Sequence, residues 1–220
     1  HSPKARGFDR SYVLIGGGAS HFDDMSGFWA QEPKASYRED GKSVEVPKGF
    51  QSTRFYTDRM IDYIDSGKPS GKPFFAYLAY TAPHWPLQAP EDWIDRFKGR
   101  YDRGYEAIRQ ARLERMKKLG LAAADVTPNQ PMAAGLPTWE QLSPEQRKRQ
   151  ARTMEVFAAM VANMDDNIGR LFDHLKKTGQ YDNTIVIFMG DNGAAGNSPA
   201  NLGKNAQWIA DNFDNSLENM

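Results

Sequence analysis

Two continuous apolar runs constrain the fold of this chain more than any other feature of its sequence. The first covers residues 74–80, Phe-Phe-Ala-Tyr-Leu-Ala-Tyr, and the second covers residues 184–189, Thr-Ile-Val-Ile-Phe-Met. A strand inside a parallel sheet is apolar on both faces, so runs of this length and composition predict buried parallel strands. Helical patterns lie between them. This order favours an α/β fold with a mainly parallel central sheet and flanking helices.

Periodicity and turn signals predict the elements of the amino-terminal part. A short strand is expected at residues 12–15, where an apolar run is ended by three glycines. Residues 23–49 are rich in charge, Gly and Pro, which indicates a long loop or a short hairpin. A helix is predicted to begin at Ser52 or Thr53, with one apolar face, and to end near residue 67. The face consists of Tyr56, Met60, Tyr63 and Ile64.

The carboxyl-terminal half is predicted to be mainly helical up to the second apolar run. We interpret residues 101–142 as a helical insertion, with a helix over 105–119 and then a proline-rich connection. Ser143 and Gln146 match a capping box that begins a long helix, and Gly179 ends it. The expected apolar face of this helix consists of Met154, Phe157, Val161, Met164, Ile168, Leu171 and Leu175. A last helix is expected around Trp208, Ile209 and Phe213.

Composition excludes several classes of partner and chemistry. Lys plus Arg and Asp plus Glu both number 28, so the formal charge of zero indicates neither nucleic acid nor an anionic membrane as a partner. No apolar run approaches the roughly 20 residues that span a bilayer. The absence of Cys excludes disulfides, zinc–thiolate sites and a cysteine nucleophile within these residues. The bacterial periplasm and the cytoplasm both remain open, as does the oligomeric state.

Ligands of open α/β sheets bind beyond the carboxyl ends of the strands, which directs attention to the residues that follow each apolar run. Asp191 and Asn192 follow the second run and are flanked by Gly190 and Gly193. Two adjacent oxygen ligands with no His or Cys nearby suit a hard cation such as Ca²⁺ or, less well, Mg²⁺. The alternative is a tight turn, because Asp-Asn-Gly is also strong turn chemistry.

His84 follows the first apolar run, between Pro83 and Pro86 and next to Trp85. A histidine held at the end of a strand is well placed to donate a proton or to bind an anion near neutral pH. The alternative is a partly buried histidine that caps a core. If the two strands are near neighbours, a cation and His84 share one crevice, which suits hydrolysis of an anionic ester.

Four segments together resemble the type I sulfatases of the alkaline phosphatase superfamily, in particular the bacterial arylsulfatases. Residues 82–90 are similar to their histidine motif and residues 188–194 to their second metal-ligand motif. Residues 4–10 and 214–219 also resemble this family, and the likeness runs along essentially the whole chain in order. It therefore favours the metal site and the active-site histidine over the two alternatives.

The resemblance implies a sulfuric ester hydrolase that cleaves small-molecule sulfate monoesters. Asp191 and Asn192 would be two ligands of a Ca²⁺ ion, and His84 would contact the sulfate ester and assist the leaving oxygen. The family's nucleophile is a formylglycine made within a Cys/Ser-x-Pro/Ala-x-Arg motif, and residues 2–6 depart from that motif because Lys4 replaces the Pro or Ala. We therefore expect an internal segment of one catalytic domain, cut at both ends and inactive alone, with the nucleophile upstream.

Two other activities stay open at this stage, and so do several polar residues. The same geometry would serve a phosphoester or phosphonate hydrolase, while a parent without a nucleophile would be a metal-stabilised binding domain. His21 is interpreted either as lining the mouth of the pocket or as a loop residue. His174 is expected to be solvated. Asp165 and Asp166 are expected on a polar helix face, because helical neighbours point about 100° apart.

Overall fold

A computed structural model describes residues 3–128, 137–193 and 205–213 of the chain. This part contains short strands in its first 50 residues and helices in the remainder. The strands are β1 (Tyr12–Leu14), β2 (Ser26–Trp29), β3 (Glu32–Lys34), β4 (Tyr37–Glu39) and β5 (Lys42–Val44). The helices are α1 (Ser52–Gly67), α2 (Glu91–Ile94), α3 (Gly104–Lys118), α4 (Pro144–Lys177) and α5 (Asn205–Asn212), with short 3₁₀ turns between some of them.

The strands form two small antiparallel sheets. One has the order β1-β4-β5 and the other pairs β2 with β3. The segment 23–49 therefore contains two hairpins. The second hairpin turns at Asp40 and Gly41, whose φ angles of 50° and 85° match the type I′ turn that an Asp-Gly pair favours. The Asp40 carboxylate also accepts the Ser11 backbone N–H at 2.8 Å, so this turn is tied to the chain just before β1.

The ends of the two long helices largely follow their capping signals. The predicted box of Ser143 and Gln146 is confirmed, with both reciprocal hydrogen bonds formed. The long helix ends before Gly179, whose φ of 69° is the left-handed conformation that glycine adopts easily. The prediction that Ser52 or Thr53 caps α1 is wrong by one or two positions. Gln51 is the cap, and its side chain accepts the Arg54 N–H.

The predicted apolar face of α4 is largely wrong, because Phe157 and Val161 are exposed. Leu175 is buried as predicted, but the other buried residues of the helix were not in the predicted face, namely Ala151, Glu155, Val156, Ala159, Met160, Asn163 and Asn167. Small side chains such as Ala159 let a loop approach the helix closely. Residues 82–89 use this space, since Ala82, Leu87 and Ala89 form one core cluster with α2 and α4.

Two polar contacts join α1 to α4. Arg170 pairs with Asp58 at 2.6 Å, and His174 Nε2 lies 2.9 Å from the Asp65 carboxylate. The expectation that His174 is solvated is therefore wrong, because its side chain is only 19% exposed. Asp165 and Asp166 are exposed on α4, in agreement with a polar helix face.

The mainly parallel central sheet predicted from the two apolar runs is not present in the described residues. Residues 74–80 and 184–189 belong to no strand, and every described strand pair is antiparallel. Ile185 is 91% exposed, and the first run buries only Leu78 and Tyr80 in part, against the amino-terminal core. An apolar pattern indicates a side chain suited to burial, but a strand also needs a neighbouring chain that accepts its backbone hydrogen bonds. No described residues supply that neighbour.

The predicted helix at 105–119 is confirmed as α3, and that segment stands apart from the core. Gly104 is its only buried residue. The helix is connected to the following turn through Tyr105, which packs edge-on against Trp139 and donates its hydroxyl to the Pro137 carbonyl. Residues 129–136 of the predicted insertion lie outside the described residues, and its status as an insertion stays a prediction. No helix in the described ranges is long and apolar enough to cross a membrane.

Candidate active site

His84 lies in the loop that follows the first apolar run, which we call the His84 loop (residues 81–90). The loop is folded back on α4 through its apolar side chains, and the peptide bonds that precede Pro83 and Pro86 are cis. His84 itself is exposed on the outer side of this packed loop. The structure therefore combines a well-supported backbone with an accessible imidazole.

Hydrogen bonds determine which ring nitrogen of His84 is available. Nδ1 lies 2.8 Å from the Trp85 carbonyl, and a carbonyl only accepts, so Nδ1 carries a proton. The backbone N–H of His84 donates to the Thr81 carbonyl at 3.0 Å. Nε2 is left to face a ligand. In the neutral ring it accepts a hydrogen bond, and in the imidazolium it donates a proton.

Aromatic side chains form one wall beside His84. The Phe28 ring lies edge-on to the imidazole, with ring centroids 6.2 Å apart. Phe28 in turn packs on Ile209 and Phe213 at the carboxyl-terminal end of the described chain. The indole N–H of Trp208 donates to the Gly27 carbonyl at 3.1 Å, which holds α5 against β2. Helix α5 is therefore part of the surroundings of the candidate site, as is β2.

His21 lies beneath the His84 loop and is 1% exposed. Its Nε2 is 3.2 Å from the His84 carbonyl and its Nδ1 is 2.8 Å from the Ser52 hydroxyl. Burial lowers the pKa of His21 and outweighs the carbonyls of His84 and Pro86, which favour the protonated ring. The two sequence-based interpretations, pocket mouth and loop residue, both missed this buried position. A histidine directly before a segment rich in charged residues carries no local signal of burial.

Asp191 and Asn192 lie in the Asp191 loop (residues 190–193), after the second apolar run. Both side chains are exposed, and Asn192 donates its amide to the Gly193 carbonyl at 2.8 Å. A carboxylate and an amide oxygen on adjacent residues fit a hard cation. They are far fewer than the 6–8 oxygens that Ca²⁺ prefers. No group of three or more His, Asp or Glu side chains in the described residues would complete such a site.

Within the described ranges, no hydrogen bond or ion pair joins the His84 loop to the Asp191 loop. Each stays attached to its own surroundings, and the shared crevice stays a prediction. The motif at residues 188–194 is described only as far as Gly193, and the motif at 214–219 lies outside the described residues.

Comparison with known proteins identifies the family. The model of the sulfatase family matches residues 2–215, and the chain belongs to this family. It is 42% identical to an arylsulfatase of Klebsiella aerogenes over 100% of the chain and 47% of that protein. It is also 40% identical to an uncharacterized sulfatase of Schizosaccharomyces pombe over 99% of the chain and 40% of that protein. The chain thus spans less than half the length of both relatives.

The fold resembles a solved structure of low sequence identity. The crystal structure of Ps i-CgsB matches with a TM-score of 0.52 and 24% identity, over 83% of the chain and 32% of that protein. This likeness concerns the fold alone. It covers most of the described residues, so the mixed arrangement of helices and small sheets has a counterpart among solved proteins.

Proposed function

We propose that the full-length protein carrying this chain hydrolyses small-molecule sulfate monoesters. The observation that carries the proposal is the state of His84 in a sulfatase-family chain: its Nδ1 is hydrogen-bonded to the Trp85 carbonyl, and the residue is exposed, which leaves Nε2 for a ligand. The 42% identity with an arylsulfatase supports the same substrate class.

His84 would act on the leaving oxygen of the ester. As an imidazolium it holds one proton on Nδ1, shared with the Trp85 carbonyl, and the other on Nε2. As the sulfuryl group passes to the nucleophile, which we propose lies outside these residues, the sulfur–oxygen bond to the alcohol would break, the electron pair would stay on that oxygen and the Nε2 proton would move to it. General acid catalysis of this kind is typically worth about 10²–10⁴-fold. Phe28 restricts the position of the ring from one side.

Asp191 and Asn192 would supply two oxygen ligands to a Ca²⁺ ion, with Mg²⁺ a weaker candidate. A cation bound there would neutralise negative charge on the sulfate group. Their exposure suits this role, because further ligands from the remainder of the protein would need access to such an ion. We propose that the nucleophile is a formylglycine outside these 220 residues, so the 220-residue chain alone is expected to be inactive.

The test of substrate class is an assay of the full-length protein with nitrophenyl sulfate, nitrophenyl phosphate and a phosphodiester. We expect the sulfate to have the highest kcat/KM, and chelation of divalent cations to abolish its turnover. A preference for either phosphorus ester would replace the proposal with the phosphoester hydrolase. Cation binding without turnover of any of the three would favour the non-catalytic binding domain.

The cation site is tested separately by calorimetry with CaCl₂ on the full-length protein. Asp191→Ala should weaken Ca²⁺ binding by more than about 100-fold, because loss of even an outer-sphere partner costs roughly 10–100-fold. Asp182→Ala is the matched control, since Asp182 is also an exposed aspartate and lies on the other side of the second apolar run. Unchanged affinity in Asp191→Ala would remove this residue from the site.

A further inference from the structure

The backbone of His21 is joined to two other elements that meet under the His84 loop. Its N–H donates to the Gln88 side-chain oxygen at 2.8 Å, and Gln88 belongs to the His84 loop. Its carbonyl accepts the Ser52 N–H at 2.9 Å, at the first turn of α1. The neighbouring Ser20 hydroxyl also contacts the Gln88 oxygen at 3.2 Å. These hydrogen bonds hold the backbone of His21 in place, and its ring makes further hydrogen bonds of its own.

The partners of the ring define one tautomer. The His84 carbonyl, 3.2 Å from Nε2, only accepts, so the proton of the neutral His21 lies on Nε2. Nδ1 then has a lone pair, which accepts the Ser52 hydroxyl at 2.8 Å. The Thr81 hydroxyl is 3.5 Å from the same nitrogen. A chain of hydrogen bonds consequently runs from the first residue of α1 through His21 to the peptide group that follows His84.

The orientation of that peptide group matters because of its neighbours. The His84 carbonyl accepts from His21, and the next carbonyl along the chain, that of Trp85, accepts from Nδ1 of His84. The direction in which Nε2 of His84 points thus depends on two successive peptide groups, one of which His21 holds. The two nearest partners of the His21 ring are the backbone carbonyl of His84 and the hydroxyl of Ser52, a residue that is 1% exposed.

We propose that His21 is a positioning residue that fixes the His84 loop, through its Nε2–H bond to the His84 carbonyl, so that Nε2 of His84 meets the leaving oxygen. The inference rests on the proposed proton-donor role of His84. His21 does not contact substrate. It acts through the backbone of His84, and the loss of its hydrogen bond should therefore alter the geometry of proton transfer more than it alters substrate binding.

Two substitutions of similar polarity separate positioning from simple packing. In His21→Gln the terminal amide reaches the place of Nε2 and can donate to the His84 carbonyl. In His21→Asn the amide reaches only the place of Nδ1, near Ser52. In the full-length protein we expect His21→Asn to lower kcat for sulfate esters with poor leaving groups by ~10²-fold, the effect of roughly a 1 Å misplacement, with KM little changed. His21→Gln should restore most of this loss.

A series of substrates with different leaving groups distinguishes positioning from a purely structural role, because a structural role would lower the activity on all of them alike. With nitrophenyl sulfates, which leave without protonation, His21→Asn should lose much less activity than with alkyl sulfates. If both variants lose activity equally, or if His21→Asn loses it uniformly across leaving groups, the positioning role is wrong. Melting temperatures of both variants show how much of any loss is due to unfolding.

The tautomer of His21 tests the hydrogen bond without any turnover. Nitrogen NMR of the full-length protein labelled in its histidines, with His21→Gln used to assign the signal, should show the proton on Nε2 at pH 7.5. A proton on Nδ1 would overturn the inference. If the unsubstituted protein hydrolyses no sulfate ester, the proposed function fails and the catalytic part of this inference fails with it, while the NMR result still decides whether His21 holds the loop.

Discussion

The His84 loop and the Asp191 loop each follow a continuous apolar run, but the described chain supports them very differently. The first loop packs on α2 and α4 through three apolar side chains and receives hydrogen bonds from His21 below it. The second loop is exposed, and the side-chain hydrogen bond from Asn192 to the Gly193 carbonyl stays within the loop.

This difference fits the two proposed chemical roles. A proton donor must be held by the protein itself, because its effect depends on the direction of one N–H bond. Ligands of a hard cation are held by the ion and by each other, and Ca²⁺ accepts flexible arrangements of oxygens. If the proposed roles are right, the described residues themselves hold His84, while a Ca²⁺ ion would need more ligands than Asp191 and Asn192 supply.

The largest expected effect concerns His84 itself. In the full-length protein, His84→Ala should lower kcat/KM for alkyl or electron-rich aryl sulfates by about 10²–10⁴-fold, because these leaving oxygens need a proton in the transition state. Nitrophenyl sulfates should lose much less. A plot of log(kcat/KM) against leaving-group pKa, for both proteins, measures the difference. His174→Ala is the matched control, since His174 bonds to Asp65 on α1 and should not affect the slope.

The same plot can also contradict the role that the comparison of the two loops gives to His84. Parallel lines for the two proteins would mean that His84 binds the sulfate group common to all substrates and gives no proton. Coincident lines would remove His84 from the active site, and the support of its loop would then have no catalytic meaning.

The next effect concerns the packing that supports only one of the two loops. Met160 is 3% exposed and lies in the core cluster with Ala82 and Leu87, whereas Met189 is 75% exposed directly before the Asp191 loop. In the 220-residue chain, Met160→Ala should lower the free energy of unfolding by about 2–5 kcal/mol. Met189→Ala should change it by less than about 0.5 kcal/mol. Urea denaturation measures both stability losses. Equal losses would show that Met189 is buried in the 220-residue chain, and that the second apolar run is packed like the first loop.

The sequence predicted the elements whose signals are local. The capping box at Ser143, the left-handed Gly179 and helix α3 needed only neighbouring residues, and all are found. The hairpin turn at Asp40 and Gly41 was not predicted, because the segment 23–49 was interpreted only as a long loop or a short hairpin. It was missed in detail because the flanking strands are only three residues long.

Features that depend on distant partners were not predictable in the same way. The extended runs at 74–80 and 184–189 have strand composition, but composition does not state whether a neighbouring strand is present. The buried face of α4 was misjudged because small residues such as Ala159 bury best where a loop comes close. His84 was predicted from its position after the first apolar run and from its motif, and its catalytic role stays a prediction. His21 was not assigned, since its burial depends on Ser52 and Gln88, which are 31 and 67 residues away.

A third prediction concerns the pH dependence of the support under the His84 loop. Burial lowers the pKa of His21 in the folded protein, with the nearby His84 acting in the same direction, while the unfolded chain has the ordinary value of about 6.5. Below this pH the unfolded state binds more protons, so the free energy of unfolding should fall as pH falls through about 6.5 and continue to fall until His21 is protonated in the folded state.

The difference between the unsubstituted chain and His21→Gln isolates this contribution, because the carboxylates are common to both. The free energy of unfolding, measured in urea between pH 7.5 and 5, should decrease more steeply for the unsubstituted chain. Equal slopes would show that His21 is not buried in its neutral form. They would also contradict the hydrogen bonds assigned between the His21 ring and Ser52 and His84.

The smallest effect concerns the tether at the start of the His84 loop. Tyr80 is the last residue of the first apolar run, and its hydroxyl lies 2.6 Å from the Thr57 hydroxyl. The Thr57 hydroxyl itself donates to the Thr53 carbonyl at 2.9 Å. Thr57 must therefore accept the proton of Tyr80. Tyr80→Phe leaves this fully buried acceptor without its donor and should lower the free energy of unfolding by about 0.5–1.5 kcal/mol. Tyr77→Phe, at a site 70% exposed in the same run, should cost almost nothing. If the two variants are equally stable, Tyr80 does not anchor the first apolar run to α1. The greater support of the His84 loop over the Asp191 loop would then depend on its packing against α4 and on His21.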